Sequence, residues 1–386
     1  MKIAMINSFY SRKYPSGENE VFTQLSRVLK YSGVKIEEII VETDIRSRQS
    51  FYRLRCAINE IFGWGGLDPR VQLGKRELDL IHINNLFPNF ERKSTELIKI
   101  PKILTLHNYR SVCVAGTLSR GGTYCDLCSV NPVNSLKYRC YRNSFMATFP
   151  LFLSRLLKQQ IRFIQKMDLV VVPSKRSLEI FTKFGIANNK WRVIPHGIAP
   201  GSKVIAAERG KFVFVGRLSL EKGLDRILRS WPTDILLDIV GDGDFDTEPY
   251  KSSENINFLG RQPREFVVDN LGKYSGLVFA SSAPESALPL VALEALASGL
   301  PIISVEGNTV SDAIFEGEFG LVLTKNFDKQ DLDLALRQVM KEFPKLSARA
   351  LKYVQLHHSE EIWVSNYYSA YIEAIKNWKL KDADLR

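Results

Sequence analysis

The feature that most constrains this chain is an alternation that runs once and then starts again. Short runs of aliphatic and β-branched residues at 3–6, 34–41, 80–83, 103–106 and 169–172 are separated by helical or irregular stretches. A second series follows residue 201, at 212–215, 236–240, 256–259, 277–280, 302–305 and 321–323, again with helical patterns between them. Strands that are apolar along their whole length are buried on both faces, the condition of a parallel sheet with helices on either side. At 386 residues the chain is also longer than a single core usually becomes. The two series therefore predict an α/β protein of two Rossmann-like, doubly wound domains facing a cleft. The division falls where Gly197, Pro200 and Gly201 punctuate a polar stretch suited to a hinge over 197–210. The expected limits are 1–200 and 201–358. A final helix over 359–386 carries Trp363, Tyr367, Ala370, Ala374 and Trp378 on one face and is expected to pack back on the first domain.

No apolar run reaches the roughly 18 to 20 residues of a membrane-spanning helix. The longest, 145–153 and 287–293, are stopped by Arg155 and Glu294. The stretch before Ser8 is too short for a signal peptide, which places the expected location in the cytoplasm. Charge is divided unevenly: residues 1–200 hold 31 Lys and Arg against 15 Asp and Glu, and residues 201–386 hold 22 against 27. The basic half points to an anionic partner, which this asymmetry alone leaves as nucleic acid, a membrane surface or an acidic substrate.

In an open parallel sheet, ligands bind beyond the carboxyl ends of the strands, so the loops after Asn7, Leu106, Gly216, Val240 and Ser281 are the places to seek chemistry. The segment 212–228, FVFVGRLSLEKGLDRIL, reads as strand, tight glycine turn and helix, with Arg217 and Lys222 at the helix mouth. Two cations beside unpaired N–H groups at the positive end of a helix make a phosphate site. The bland alternative is two solvated cations next to a structural turn. A second segment, 284–301, starts a helix at Pro289 and ends it at Gly299, with Glu294 inside the apolar run and Glu285 in the loop before it. A carboxylate buried there needs a hydrogen-bonding partner, and a sugar or ribose hydroxyl would supply one. Either acid also reads as a surface or capping residue.

Taken together, these segments resemble the retaining nucleotide-sugar glycosyltransferases of family four, which have the two-domain B-type fold. The resemblance covers Ser16, Gly17 and Glu18, the strand-end His107, the turn 193–197, GRLSLEKG, the turn at Gly241 to Gly243 and the glutamate helix. The stretch from HNYRSVC through YCDLC to YRCYR is similar to a subgroup found among bacterial polysaccharide-assembly enzymes. The resemblance implies transfer of a sugar, of hexose type, from a nucleoside diphosphate to a hydroxyl of a lipid-linked saccharide acceptor. The setting it implies is synthesis of a bacterial surface polysaccharide, whether O-antigen, capsule or exopolysaccharide. It implies that Arg217 and Lys222 clamp the donor diphosphate, that Glu294 holds the ribose, and that Gly17 lets backbone approach the phosphates. Glu285 would face the transferred sugar and His107 would lie near it. The family pattern puts the first glutamate at the position of Ser286, one residue after Glu285. Two fixed cations and a helix end leave no requirement for a divalent ion, so no catalytic cofactor is expected.

Cys113, Cys125, Cys128 and Cys140 are 12, 3 and 12 positions apart, and Cys56 stands elsewhere. This spacing admits a closed structural zinc site, packed free thiols, or a disulfide. A helix carrying Arg155, Lys158, Arg162 and Lys166 within an arc of about 80° reads as a solvated surface or as a contact for anionic lipid headgroups, which would make the protein peripheral on the inner face of the cell membrane. His82 and His196 read as hydrogen-bonded structural residues, and His357 and His358 as surface positions. Arg261 is a candidate for the donor base pocket. A zinc-containing nucleic-acid-binding protein is the rival from another class. It leaves Arg217, Lys222 and Glu294 unexplained, and no aromatic stacking platform is interleaved with the basic residues, so no nucleic acid partner is expected. A sugar-nucleotide epimerase or a phosphorylase on the same fold is the third reading.

Overall fold

Every strand of the two large sheets is paired in parallel, as the uninterrupted apolar runs require. The computed structural model describes residues 1–10, 16–201 and 210–384; parts of the expected 8–17 loop and of the expected hinge lie outside the described residues. The first sheet runs, from edge to edge, Lys35–Glu42, Lys2–Phe9, Leu80–Asn85, Lys102–Thr105, Leu169–Val172 and Trp191–Val193. The last of these is a three-residue edge strand that the apolar pattern does not reveal. The second runs Ile256–Gly260, Leu236–Val240, Lys211–Val215, Gly276–Phe279, Ile302–Val305 and Gly320–Leu323.

Side-chain alternation divides the second unit's core into two layers. Val213, Leu277 and Ile302 face a cluster with Leu293, Leu296 and Ala350. Phe212, Phe214, Val278 and Ile303 face another with Ile227, Leu336 and Val339. Helices therefore cover both faces, and only the strand ends remain for polar chemistry.

The chain groups into two compact units, neither continuous in sequence. The first holds Met1–Thr117, Asp126–His196 and Trp363–Arg386, and the second holds Leu118–Cys125 and Gly197–Ile362. The last helix, Glu360–Asp384, completes the first unit from Trp363 onward. Trp363, Tyr367, Ala370, Tyr371 and Ala374 are its buried stripe, at the 3–4 spacing of one helical face. Its hydroxyls reach buried polar side chains on two strands. Tyr371 is 2.9 Å from His82 Nδ1, His82 Nε2 is 2.8 Å from Thr105 Oγ1, and Thr105 is 3.2 Å from the Tyr367 hydroxyl. Farther along, Lys381 Nζ donates to Asp168 at 2.5 Å and Asn377 donates to the Asp168 carbonyl at 3.1 Å. Among the described residues, no helix is long and apolar enough to cross a membrane.

Two expectations are corrected here. The basic helix of Arg155, Lys158, Arg162 and Lys166 is two helices, Phe145–Leu156 and Gln159–Gln165, because Lys158 takes a left-handed conformation with φ of 53°. Its cations are consequently divided: Arg155 is half-buried and Lys166 pairs with Glu96 at 2.5 Å. His358 is buried, not exposed, and ends the long helix Lys329–His357 against the ring of Tyr353.

Burial, with a smaller repulsion from His107, pushes the His82 imidazole down to about 3. The unfolded chain then binds a proton that the folded chain refuses below pH 6.5, so stability falls as pH drops from 6.5 toward 3. For this one group the slope approaches about 1.4 kcal/mol per pH unit. Urea unfolding from pH 7 to pH 4.5 is expected to show this loss. His82→Gln should start less stable at pH 7 and lose less on acidification.

Candidate active site

The strand order of the second sheet places its topological switch point between Lys211–Val215 and Gly276–Phe279, where the connections leave in opposite directions. The two loops flanking that point carry Arg217 and Lys222 on one side and Ser281 and Glu285 on the other. Lys222 Nζ lies 2.6 Å from Glu285 Oε1, and the Ser281 hydroxyl donates to the same oxygen at 3.1 Å. Both members of the pair are about three-quarters buried, with 24% exposure each. Arg217 pairs with Glu221 one turn on. The local helix differs from the expected one: a single 3-10 turn, Leu220–Lys222, is followed by the helix Leu224–Ser230, with Gly223 between them at φ of 74°. A Cβ at Gly223 would stand 2.2 Å from the Ala280 carbonyl oxygen, so only glycine lets the two switch-point loops meet. Gly241, in the next strand's turn, is bound by the same constraint, with a virtual Cβ 1.9 Å from the Gly216 carbonyl oxygen. Asn308 fixes the far side by donating to the Ser281 carbonyl at 2.9 Å while capping its own helix.

Glu294 sits inside the helix Leu290–Ala297 and is buried, as its apolar surroundings predict. Arg264 supplies a protein partner, donating from Nε at 2.6 Å. Ser286 is half-buried next to Glu285. Arg261 lies 3.8 Å from Asp242 in the same unit.

The first unit has its own switch point, between Lys2–Phe9 and Leu80–Asn85. Ser16 caps the helix Gly17–Tyr31 by accepting from the Asn19 N–H, which leaves Gly17 exposed at the first helical position. Beside it the Glu18 carboxyl is raised to about 7 by burial, against the lowering influence of Arg110 and of hydrogen bonds from Asn85 and Asn108. His107 is 3.1 Å from Asn84 Oδ1 and stacks on His196 with ring centroids 5.6 Å apart. Burial lowers its imidazole to about 4, so it is neutral at pH 7. A cavity of about 70 Å³ opens among Asn84, Asn85, His107, Asn108, Arg110 and Gln160. Asn84 Nδ2 and Arg110 Nε are buried there with no hydrogen-bond partner within the protein. Of this set, the motifs include Ser16, Gly17, Glu18, His107 and His196, but not Asn84, Asn85 or Gln160. The asparagine pair at the end of a strand and the Asn-Tyr-Arg after His107 were visible, but nothing local in the sequence marks them as convergent.

A structural zinc needs four thiolates gathered around one point. Among the described residues, no group of three or more His, Cys, Asp or Glu side chains is arranged to hold a metal ion, and no disulfide is formed. Cys113, Cys125, Cys128 and Cys140 are all half-buried, Cys125 in the second unit and the other three in the first.

Two family models match consecutive parts of the chain: "Glycosyltransferase Family 4" over residues 29–201 and "Glycosyl transferases group 1" over residues 199–356. Between them they span residues 29–356, which takes in the whole second sheet, every strand of the first except Lys2–Phe9, and all the site segments except the first loop. The chain belongs to the family-four glycosyltransferases. Its two parallel-sheet domains are those of the B-type glycosyltransferase fold. No curated protein matches this glycosyltransferase in sequence. Among solved structures it resembles sucrose-phosphate synthase from Thermosynechococcus elongatus, with a TM-score of 0.70 at 17% identity over 96% of this chain and 98% of that one. It also resembles WaaG, a glycosyltransferase involved in lipopolysaccharide biosynthesis, at 0.62 and 16% identity over 96% and 99% of the two chains. Anabaena HepE, solved with UDP and glucose, matches at 0.62 and 15% identity over 96% and 98%. At such identities the likeness is one of fold.

Gly223→Ala is expected to cost about 2 kcal/mol or more, from a strained left-handed alanine and a clash with a backbone carbonyl. Urea unfolding measures it; a loss under about 0.5 kcal/mol would mean that the two loops part without penalty.

Proposed function

We propose that this glycosyltransferase moves a hexose-type sugar from a nucleoside diphosphate to a hydroxyl of a saccharide acceptor, with retention of anomeric configuration. The acceptor is lipid-linked, and the setting is assembly of a bacterial surface polysaccharide at the inner face of the cell membrane. The observation that carries the reading is the pairing of Lys222 with Glu285 across the switch point of a sheet whose order is that of nucleotide-binding domains. The HepE complexes with UDP and UDP-glucose support a nucleoside diphosphate donor, and WaaG supports the polysaccharide setting.

As the bond to the sugar breaks, negative charge collects on the departing diphosphate and positive charge at the anomeric carbon. Arg217 and Lys222 stabilise the first. An incoming diphosphate competes with Glu221 and Glu285 for the two cations, which frees the Glu285 carboxylate for the sugar hydroxyls. Glu294, held by Arg264, accepts from the ribose hydroxyls. In the first unit, neutral His107 and the asparagines beside it offer uncharged donors and acceptors, as a polyol needs. In a front-face attack the leaving phosphate itself takes the proton of the acceptor hydroxyl, so no separate base is required.

Because binding to the native state raises the unfolding temperature, a panel of UDP-, GDP-, ADP- and CMP-sugars tests the donor site without an acceptor. One donor class should shift the midpoint upward, and Arg217→Ala should abolish the shift. Lys222→Ala should lower turnover about 100-fold, equivalent to about 3 kcal/mol of lost charge stabilisation. Unchanged turnover in a folded Lys222→Ala protein would remove the diphosphate assignment.

A further inference from the structure

The helix Tyr52–Phe62, in the first unit, is built inside out. Its only buried residues are Asn59 and Glu60. Asn59 donates to the Phe90 carbonyl at 2.9 Å, and Glu60 pairs with buried Arg92 at 3.2 Å while accepting from Gln160 at 3.1 Å. The polar side of the helix is thus its attachment. Leu54, Ile58 and Phe62 recur at a spacing that makes a single helical stripe, and that stripe is exposed; Phe51, the left-handed residue just before the helix, is exposed by 77%. Trp64 follows it, also exposed. The helix packs against Phe145–Leu156, whose first turn exposes Phe145 and, by 80%, Met146. Two neighbouring helices therefore turn aromatic and long aliphatic side chains outward, more than isolated surface apolars would explain.

Charge identifies what this face meets. Arg53 and Arg55 are exposed on the first helix, and Arg139 and Arg142 are exposed just before the second. From residue 127 to residue 167 the chain has seven Lys and Arg and no Asp or Glu. A two-fold contact with a second copy would set this basic rim against itself. An anionic, planar surface accepts both the cations and the aromatic side chains.

We propose that the face formed by Tyr52–Phe62 and the start of Phe145–Leu156 docks on membranes containing anionic lipid, with the aromatic side chains in the headgroup boundary and the arginines on lipid phosphates. This replaces the basic helix as the lipid contact. It rests on the reading of a membrane-linked acceptor only for its purpose; its test uses neither donor nor acceptor, so the two can fail separately.

The full chain is sedimented with phosphatidylcholine vesicles, with and without about 30% phosphatidylglycerol, at low and at physiological salt. Binding is expected only with the anionic lipid and weakens with salt. The double variant Phe62→Ser, Met146→Ser should lower the partition coefficient about tenfold or more, as should Arg53→Glu with Arg142→Glu. Phe315→Ser, an equally exposed aromatic position in the second unit, should leave it unchanged. An unchanged urea-unfolding midpoint in each variant reports that the fold is intact. No wild-type binding to either vesicle, or undiminished binding by both double variants, overturns the proposal. So does a dimer in light scattering that dissociates in the Phe62, Met146 variant, which assigns the face to a second copy.

Discussion

A parallel sheet covered on both faces leaves its polar chemistry only one kind of place to go, and this chain meets that constraint twice. Apolar strands such as Leu169–Val172 and Ile302–Val305 are buried along their whole length. Side chains that need water, charge or a ligand are then confined to the loops at the strand ends. In the second unit the confinement brings Lys222 and Glu285, 63 positions apart, into one ion pair. In the first it gathers Glu18, Asn85, His107 and Arg110. The crowding has a backbone cost as well, since loops converging on one point approach closer than a Cβ permits, and Gly223 and Gly241 stand where they do.

What the sequence discloses follows the same division. The long apolar runs were legible because burial on both faces leaves no alternation to confuse with an amphipathic helix. The edge strand Trp191–Val193 was not, being three residues with an arginine in the middle. Helical periodicity placed the cations of 155–166 on one face because it assumes continuous α geometry, and a single left-handed residue at Lys158 undoes the arithmetic. Motif positions singled out Arg217, Lys222, Glu285 and Glu294, but not the ion pairs they form. That Glu294 is answered by Arg264 depends on how two helices dock, which no local pattern encodes. The inside-out helix was hidden for a related reason: its stripe of Leu54, Ile58 and Phe62 is what a core-facing helix would show.

Each cation of the phosphate segment has a carboxylate close by, Arg217 with Glu221 and Lys222 with Glu285. A site arranged this way is close to neutral overall and holds little attraction for stray anions. A ligand must present enough charge, at the right spacing, to displace two carboxylates together. Several anionic oxygens spaced like the two cations satisfy that condition better than an isolated charge.

The last helix has a consequence for how the protein comes into being. Tyr367 and Tyr371 supply the hydroxyls that satisfy His82 and Thr105 in the middle of the first sheet, yet they are synthesised after the whole of the second unit. The second unit, complete by Ile362, is finished on the ribosome before the first has its closing layer. A nascent or truncated chain lacking that helix would carry an otherwise formed sheet with a bare apolar face and unanswered buried polar groups. Quality control would meet it as an aggregation-prone intermediate, and the N-terminal half, though first made, would be the last to become native.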